Sequence, residues 1–278
     1  MSAYCAAIAS RPRLLRDPQH DLDRIPFIVE RTFRPAGTDF TPVLTRPRWN
    51  EEGEALELVW ERQAMGLPMT DYYQARASEY ESVYDKPERQ EELITLRAWL
   101  TLEARGRTVL EVACGTGYWT AVAASTAGAI VATDLNPGPL AIARSKYLGA
   151  HVTIAQADAF ALPDYGLAFD TGMAHFWWSH VSLANQRGFL EHFASKLRPR
   201  GKLLMIDNNH VPHSSTPISR TDAQGNTYQV RMLRSGARYE VLKNFPTTSE
   251  LQSALSSICT SVDVLQLPHY WALSAMLQ

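Results

Sequence analysis

Cysteine is scarce. Three thiols (Cys5, Cys114 and Cys259) in 278 residues are too few and too scattered for a disulfide framework or a zinc site. No metal is expected, and the usage fits a reducing cytoplasm. Long apolar runs are missing too. None approaches the roughly 20 residues that cross a bilayer. Net charge is nearly absent: 27 Lys and Arg stand against 29 Asp and Glu, with a pI near 6.5. That is poor electrostatics for gripping a polyanion, so no nucleic acid partner is expected. An export signal is also lacking, because no positive charge precedes the short apolar stretch 3–9, while Arg11, Arg13 and Arg16 follow it. Early Asp17, Asp21 and Asp23 oppose an organelle-targeting start. There is no internal repeat and no low-complexity tract.

The chain divides unevenly. Residues 1–68 form a proline-rich N-terminal extension, with Pro12, Pro18, Pro26, Pro35, Pro42 and Pro47. Proline at that density breaks helices and forbids central strands, so the extension reads as mostly irregular. Two pieces of it have the pattern of ordered structure: 25–33, and a helix through Ala55, Leu56, Val59, Trp60 and Met65. Met69 opens the regular part, residues 69–278, and reads as an alternative start.

From there helices and strands alternate. Helices are expected over 72–84, 88–103, 119–125, 139–148 and 184–197. Strands are expected over 107–112, 129–134, 152–156, 168–173 and 202–207. This rhythm predicts an α/β fold, a doubly wound and mostly parallel sheet with helices on both faces. After Asp207 an inserted β-hairpin (227–233 and 237–243) turns at Gly236. A helix over 248–258 follows, with Thr248 as N-cap. An antiparallel pair, 261–267 and 270–276, ends the sheet.

The strongest local signal is Val109-Leu110-Glu111-Val112-Ala113-Cys114-Gly115-Thr116-Gly117. A buried strand runs into a small-residue turn and then a helix. Gly115 and Gly117 let a ligand lie against bare backbone at the helix N-terminus. Asp134, at the end of the second strand, is placed to take ribose hydroxyls. After the third strand, Asp158, Ala159 and Phe160 are placed for an adenine. A nicotinamide dinucleotide fingerprint wants glycine at position 120, which is Thr120. Glu111 would repel a phosphate and attract a cation. S-adenosylmethionine carries an ammonium, a sulfonium and no phosphate.

The segment from Tyr72 onward resembles the class I S-adenosylmethionine-dependent methyltransferases of the bacterial small-molecule type. Glu111 to Gly117 matches that family's first motif, with Ala113 where many members carry glycine. Asp134 matches the ribose-binding acid, followed by Leu135 and Asn136. Asp158-Ala159 matches the adenine-contacting pair. Leu197 to Lys202 resembles the turn into the fifth strand, with Arg200 replacing a glycine. The resemblance implies a Rossmann-like fold, S-adenosylmethionine as cofactor and methyl transfer. It also suggests that helix 71–80 covers the cofactor, with Arg76 meeting its carboxylate and Tyr73 its sulfonium.

The acceptor side is read from strand ends, where doubly wound sheets bind ligands. His175 is expected to offer backbone contacts to the cofactor. Phe176, Trp177 and Trp178 form an aromatic wall, with one tryptophan packed under a helix. Asn208, Asn209 and His210 close the fifth strand and are placed to orient a polar acceptor, or to bond within their loop. Arg231 lies on a hairpin that reads as a lid or as a solvated surface element. His180 is a candidate general base, or a structural residue at a helix start. The leading expectation is methyl transfer to O or N of a small, aromatic or partly apolar metabolite. C-methylation of a quinone-like or natural-product acceptor, a nicotinamide-dependent oxidoreductase and a non-catalytic cofactor-binding module are the alternatives.

Overall fold

A computed structural model of the chain describes residues 69–278. The extension 1–68 and its two expected ordered pieces lie outside the described residues. The elements run α1 (Met69–Arg76), two 3₁₀ segments (Ala77–Tyr84 and Pro87–Arg89) and α2 (Gln90–Glu103). β1 (Thr108–Glu111), α3 (Tyr118–Ala124), β2 (Ala129–Asp134), α4 (Pro137–Ser145) and β3 (Val152–Gln156) follow. Next come β4 (Phe169–His175), a 3₁₀ turn (Trp178–His180), α5 (Gln186–Ala194) and β5 (Leu197–Asn208). The remainder is β6 (Arg220–Thr221), β7 (Thr227–Met232), β8 (Arg238–Leu242), α6 (Thr248–Leu255), β9 (Cys259–Gln266) and β10 (Tyr270–Leu277).

Seven strands form one sheet in the order β3-β2-β1-β4-β5-β10-β9. β1 to β5 are parallel, and β10 runs antiparallel to both β5 and β9. This is the Rossmann-like sheet of class I methyltransferases, with the expected antiparallel finish. Its central strands β1, β2, β4, β5 and β10 are buried on both faces, as parallel sheets require, while the edge strands β3 and β9 are partly exposed. Leu110, Leu203 and Met205 pack on one side with Phe189 and Phe193 of α5. Val109, Leu204 and Ile206 pack on the other with Leu93, Leu96 and Leu100 of α2. Strand order reverses between β1 and β4, and a crevice opens beyond the carboxyl ends at that point.

The inserted hairpin is a separate three-stranded sheet, β6-β7-β8. Its first strand, two residues long, was not expected. Asp222 folds the chain from it into β7 by accepting the backbone N–H of Gln224 and Asn226. Gly236, at φ 86°, makes the expected turn between β7 and β8. Tyr72 of α1 packs with Leu233, Tyr239 and Val241 into a small apolar core. So α1 and the hairpin form one cap.

Three expectations need correction. The helix over 72–84 tightens to 3₁₀ after Arg76. β5 begins at Leu197 rather than 202, because 198–201 continue as strand with Arg200 at φ 60°. The cap of α6 is Thr247, not Thr248. Thr247 accepts from the Glu250 N–H, and the Glu250 carboxylate accepts from the Thr247 N–H at 2.7 Å, a reciprocal capping box. Among the described residues no helix is long and apolar enough to cross a membrane.

Thr247→Ala is expected to cost about 1 kcal/mol, while Thr248→Ala costs a few tenths at most. Urea unfolding of the two variants compares them directly, and equal losses would remove the capping assignment.

Candidate functional site

A cleft of about 800 Å³ lies at the switch point. The loop after β1 gives it Ala113, Gly115 and Thr116, and the end of β2 gives it Asp134, Leu135 and Asn136. Asp158 and Ala159 follow β3, and His175, Phe176 and Trp177 close β4. Met69, Thr70 and Tyr73 of α1 cover it. Asp134 is held at both oxygens: Oδ2 accepts from the Gly115 N–H at 2.9 Å and Oδ1 from the Asn136 N–H at 2.8 Å. Burial raises its pKa against the pull of those bonds. Gly115 sits at φ 57°, and a Cβ there would meet nothing within 4 Å, so its Cα faces open cleft. Two Asp and no Lys or Arg line this cleft.

Three residues expected at the cofactor do not line the cleft. Gly117, at φ 78°, lets α3 pack on α4, since a Cβ would come within 3.1 Å of the Ala143 Cβ. Glu111 is buried beneath the loop, where Thr120 donates to it at 2.7 Å. Burial pushes its pKa up to about 7. Phe160 stands half exposed on the rim with its ring 5.9 Å from that of Trp177. Its N–H donates to Asp158. His175 is buried with neither ring nitrogen bonded, and burial lowers its pKa to about 3.

A second cavity of about 730 Å³ adjoins the cleft, and Tyr73, Tyr80, Phe176 and His180 line both. Its other aromatic walls are Tyr84, Phe245 and Tyr270. Asn208, Gln229 and Arg231 line it too. Arg76 belongs here and not to the cleft: it donates to the Tyr72 hydroxyl and lies 5.4 Å over the Tyr80 ring.

His180 is saturated. Its Nδ1–H donates to the Leu242 carbonyl at 2.6 Å, which leaves Nε2 to accept the Tyr73 hydroxyl at 2.7 Å. Burial, with Lys243 nearby, lowers its pKa to about 3. Its ring is therefore neutral near pH 7 and turned to Tyr73, which corrects the expectation of a direct base. Burial also holds the Tyr73 phenol well above its ordinary pKa, so it remains a donor. Below these rings Lys243 donates to Asp207 at 2.8 Å and to Ser179 at 2.6 Å, both bonds buried.

The acceptor-side expectations divide. Phe176, Asn208 and Arg231 line the second cavity, and Trp177 lines the cleft. Trp178 packs against Phe189 on the far side. Asn209 donates to the carbonyls of Leu267 and Tyr270 and is spent within its loop. His210 stacks edge-on with Phe245 at 5.1 Å and opens, with Trp178, on a different depression. The sequence reading missed Tyr80, Tyr84, Lys86, Arg89 and Gln229. None lies in a motif, and the turn Lys86-Pro87-Glu88-Arg89 reads as a helix start. The pairing of Asp207 with Lys243 was missed as well.

A family model described as a methyltransferase domain matches residues 109–201. Demethylmenaquinone methyltransferase of Tropheryma whipplei (strain Twist) is 31% identical over 115 residues, which is 41% of this chain and 47% of that protein. The match thus spans about half the length of that relative. Among solved structures, the DhpI–SAH complex is 28% identical with a TM-score of 0.60, covering 75% of this chain and 94% of that one. The DhpI–SAM–HEP complex is 25% identical with a TM-score of 0.62, covering 76% and 98%.

Ala113 stands at φ 51°, where the left-handed conformation costs an L-residue about 1–2 kcal/mol. Glycine removes that strain and loses roughly 0.5–1 kcal/mol in unfolded-chain entropy. Ala113→Gly is therefore expected to stabilise by up to about 1 kcal/mol in thermal unfolding. A destabilised variant would show that the Ala113 methyl is needed for packing.

Proposed function

We propose, for a chain that carries a class I S-adenosylmethionine-dependent methyltransferase domain, that the cleft holds the cofactor and the second cavity a small acceptor methylated on oxygen or nitrogen. The observation that carries this reading is the wall of Tyr73, Tyr80, Phe176 and His180 shared by the two spaces. A group in one cavity and a group in the other meet only there. When bound, S-adenosylmethionine supplies a methyl carbon activated by a sulfonium.

The residues present suit that cofactor. Gly115 leaves its backbone open to a ligand, and Asp134 is pinned by two N–H groups so that its remaining lone pairs face the cleft, placed for ribose hydroxyls. Asp158 and Ala159 line the cleft with Leu135 and Trp177 and would meet the adenine. The unbonded His175 nitrogens await a polar partner. The two cleft aspartates and the aromatic rings of Tyr73 and Phe176 favour a cation. Thr120, filled in against Glu111, leaves no room for the third glycine approach of a nicotinamide dinucleotide. Room for an acceptor exists beside the cleft, against a module that only binds cofactor.

The chain's own work is then placement. The aromatic walls of the second cavity suit a partly apolar acceptor. The Tyr73 hydroxyl, fixed by His180, orients a polar atom there. Holding two groups near contact and in line supplies much of the rate in such displacements. Incubation with labelled cofactor and a metabolite extract tests the reading by product mass. A protein that neither binds S-adenosylhomocysteine in calorimetry nor yields a product would refute it.

Asp134→Ala is expected to weaken S-adenosylhomocysteine binding by about 1.5–3 kcal/mol for each charge-assisted bond lost, with the fold retained. Unchanged affinity would remove the ribose assignment.

The pH dependence follows from His180. Its folded pKa, about 3, lies below the roughly 6.5 of free imidazole. The ring thus stays neutral over the working range, and turnover is expected to show no inflection near pH 6.5. Folding stability behaves differently. It is complete above about pH 6.5 and falls as the pH drops towards 3, because the unfolded chain takes up the proton first. His175, also lowered to about 3, adds to the same loss. A rate profile that titrates near 6.5 while the melting temperature stays level would return His180 to the role of base.

A further inference from the structure

The second cavity is strongly cationic although the chain is nearly neutral. Arg76, Lys86, Arg89, Arg231 and Lys243 line it, and no Asp or Glu does. Lys243 is matched by Asp207. The other four have no carboxylate within ion-pair distance among the described residues; Glu88, which accepts from the Ser214 hydroxyl at 3.2 Å, offsets Lys86 and Arg89 only from outside the cavity.

Their partners are neutral and leave donors spare. Lys86 donates to the Ser214 carbonyl at 3.0 Å, and Arg89 to the Ser214 hydroxyl at 2.9 Å. Arg231 donates to Gln229. The Nε–H groups of Arg89 and Arg231 are buried with no acceptor at all. Arg89 as a whole is 7% exposed and lies over the Tyr270 ring at 5.5 Å. Burial, and then the charge of Arg89, lowers the Lys86 pKa. Unmatched cations crowded into one partly buried space are costly, and guanidinium forks match planar or tetrahedral oxyanions. A partly open space of about 730 Å³ is of small-molecule size, and the chain's net charge of -2 opposes a nucleic acid.

Resting on the methyltransferase reading above, we infer that the acceptor carries a phosphate-, phosphonate- or carboxylate-type oxyanion bound by Arg76, Lys86, Arg89 and Arg231. This also explains why the ring of His180 is closed to the acceptor. An oxyanion arrives deprotonated and needs no base. As its oxygen bonds to the methyl carbon, the carbon–sulfur bond breaks and its electron pair stays on sulfur. The acceptor loses one negative charge, the sulfonium its positive charge, and no proton moves.

The test is calorimetric titration of the full chain, saturated with S-adenosylhomocysteine, with inorganic phosphate, methylphosphonate and acetate in separate arms. Binding of at least one is expected, weakening as salt is raised. The arm that binds distinguishes tetrahedral from planar anions. Arg231→Gln and Arg76→Gln are each expected to lower that affinity about tenfold or more. Their S-adenosylhomocysteine affinity, which reports an intact fold, should stay within about twofold. If S-adenosylhomocysteine binds and none of the three anions does, or if both variants bind the anion like the parent chain, the anionic acceptor is refuted and the methyltransferase reading stands. If S-adenosylhomocysteine itself does not bind, both fall together.

Discussion

The ion pair between Lys243 and Asp207 holds the site together. Asp207 ends β5 with its side chain 0% exposed, and Lys243 follows β8 with 4%. Asp207 also accepts the Ser179 N–H at 3.0 Å, and Lys243 also donates to the Ser179 hydroxyl. Three segments far apart in sequence therefore meet at one carboxylate. A buried pair of this kind adds little net stability, but losing one partner costs about 3–5 kcal/mol because it strands a charge. Its effect here is registry. It fixes the end of β8, whose Leu242 carbonyl takes the His180 proton. His180 then holds Tyr73, and Tyr73 belongs to the helix that covers the cleft. Although burial alone would raise it, the Asp207 pKa is lowered, chiefly by the charge of Lys243 beside it, so the carboxylate keeps its charge.

Charge is divided between the two spaces. The cleft has carboxylates and no basic side chain beyond imidazole, whereas the cavity beside it has cations and no carboxylate. The rings of Tyr73, Tyr80 and Phe176 separate them. Opposite fields on two sides of a thin aromatic wall sort ligands by sign before any hydrogen bond forms. Backbone strain gathers at the same place: of the non-glycine residues with positive φ, Ala113 and Phe176 both line the cleft. Such strain persists only where surrounding structure enforces it. For Phe176 the enforcing contact is its N–H to the Ile206 carbonyl at 2.6 Å.

Much of the fold was legible because each central strand is apolar on both faces and each helix on one. Leu110 and Val109 point to opposite cores, a pattern visible in Val109-Leu110 alone. Asp134 could be placed because a strand end fixes where an acid points. Arg200 and Ala113 were visible as departures from glycine, and both prove to be left-handed. The cap of α6 was misplaced by one residue, although Glu250 three positions after Thr247 already spelled the reciprocal pattern. The second cavity was not legible. It is assembled from α1, the turn before α2, the loop after β5 and the hairpin, and no local spacing records which of their cations converge. Arg231 and Arg238 look alike on the hairpin, yet only Arg231 lines the cavity, while Arg238 is exposed.

The Tyr73–His180 bond has a consequence for how the two ligands meet. Both cavities borrow the same four side chains, Tyr73, Tyr80, Phe176 and His180, for a common wall, so neither can be filled without settling a surface of the other. On the reading proposed above, cofactor and acceptor would touch the same wall, so a coupling between their affinities would be one free energy, equal in both directions, and would need no moving domain.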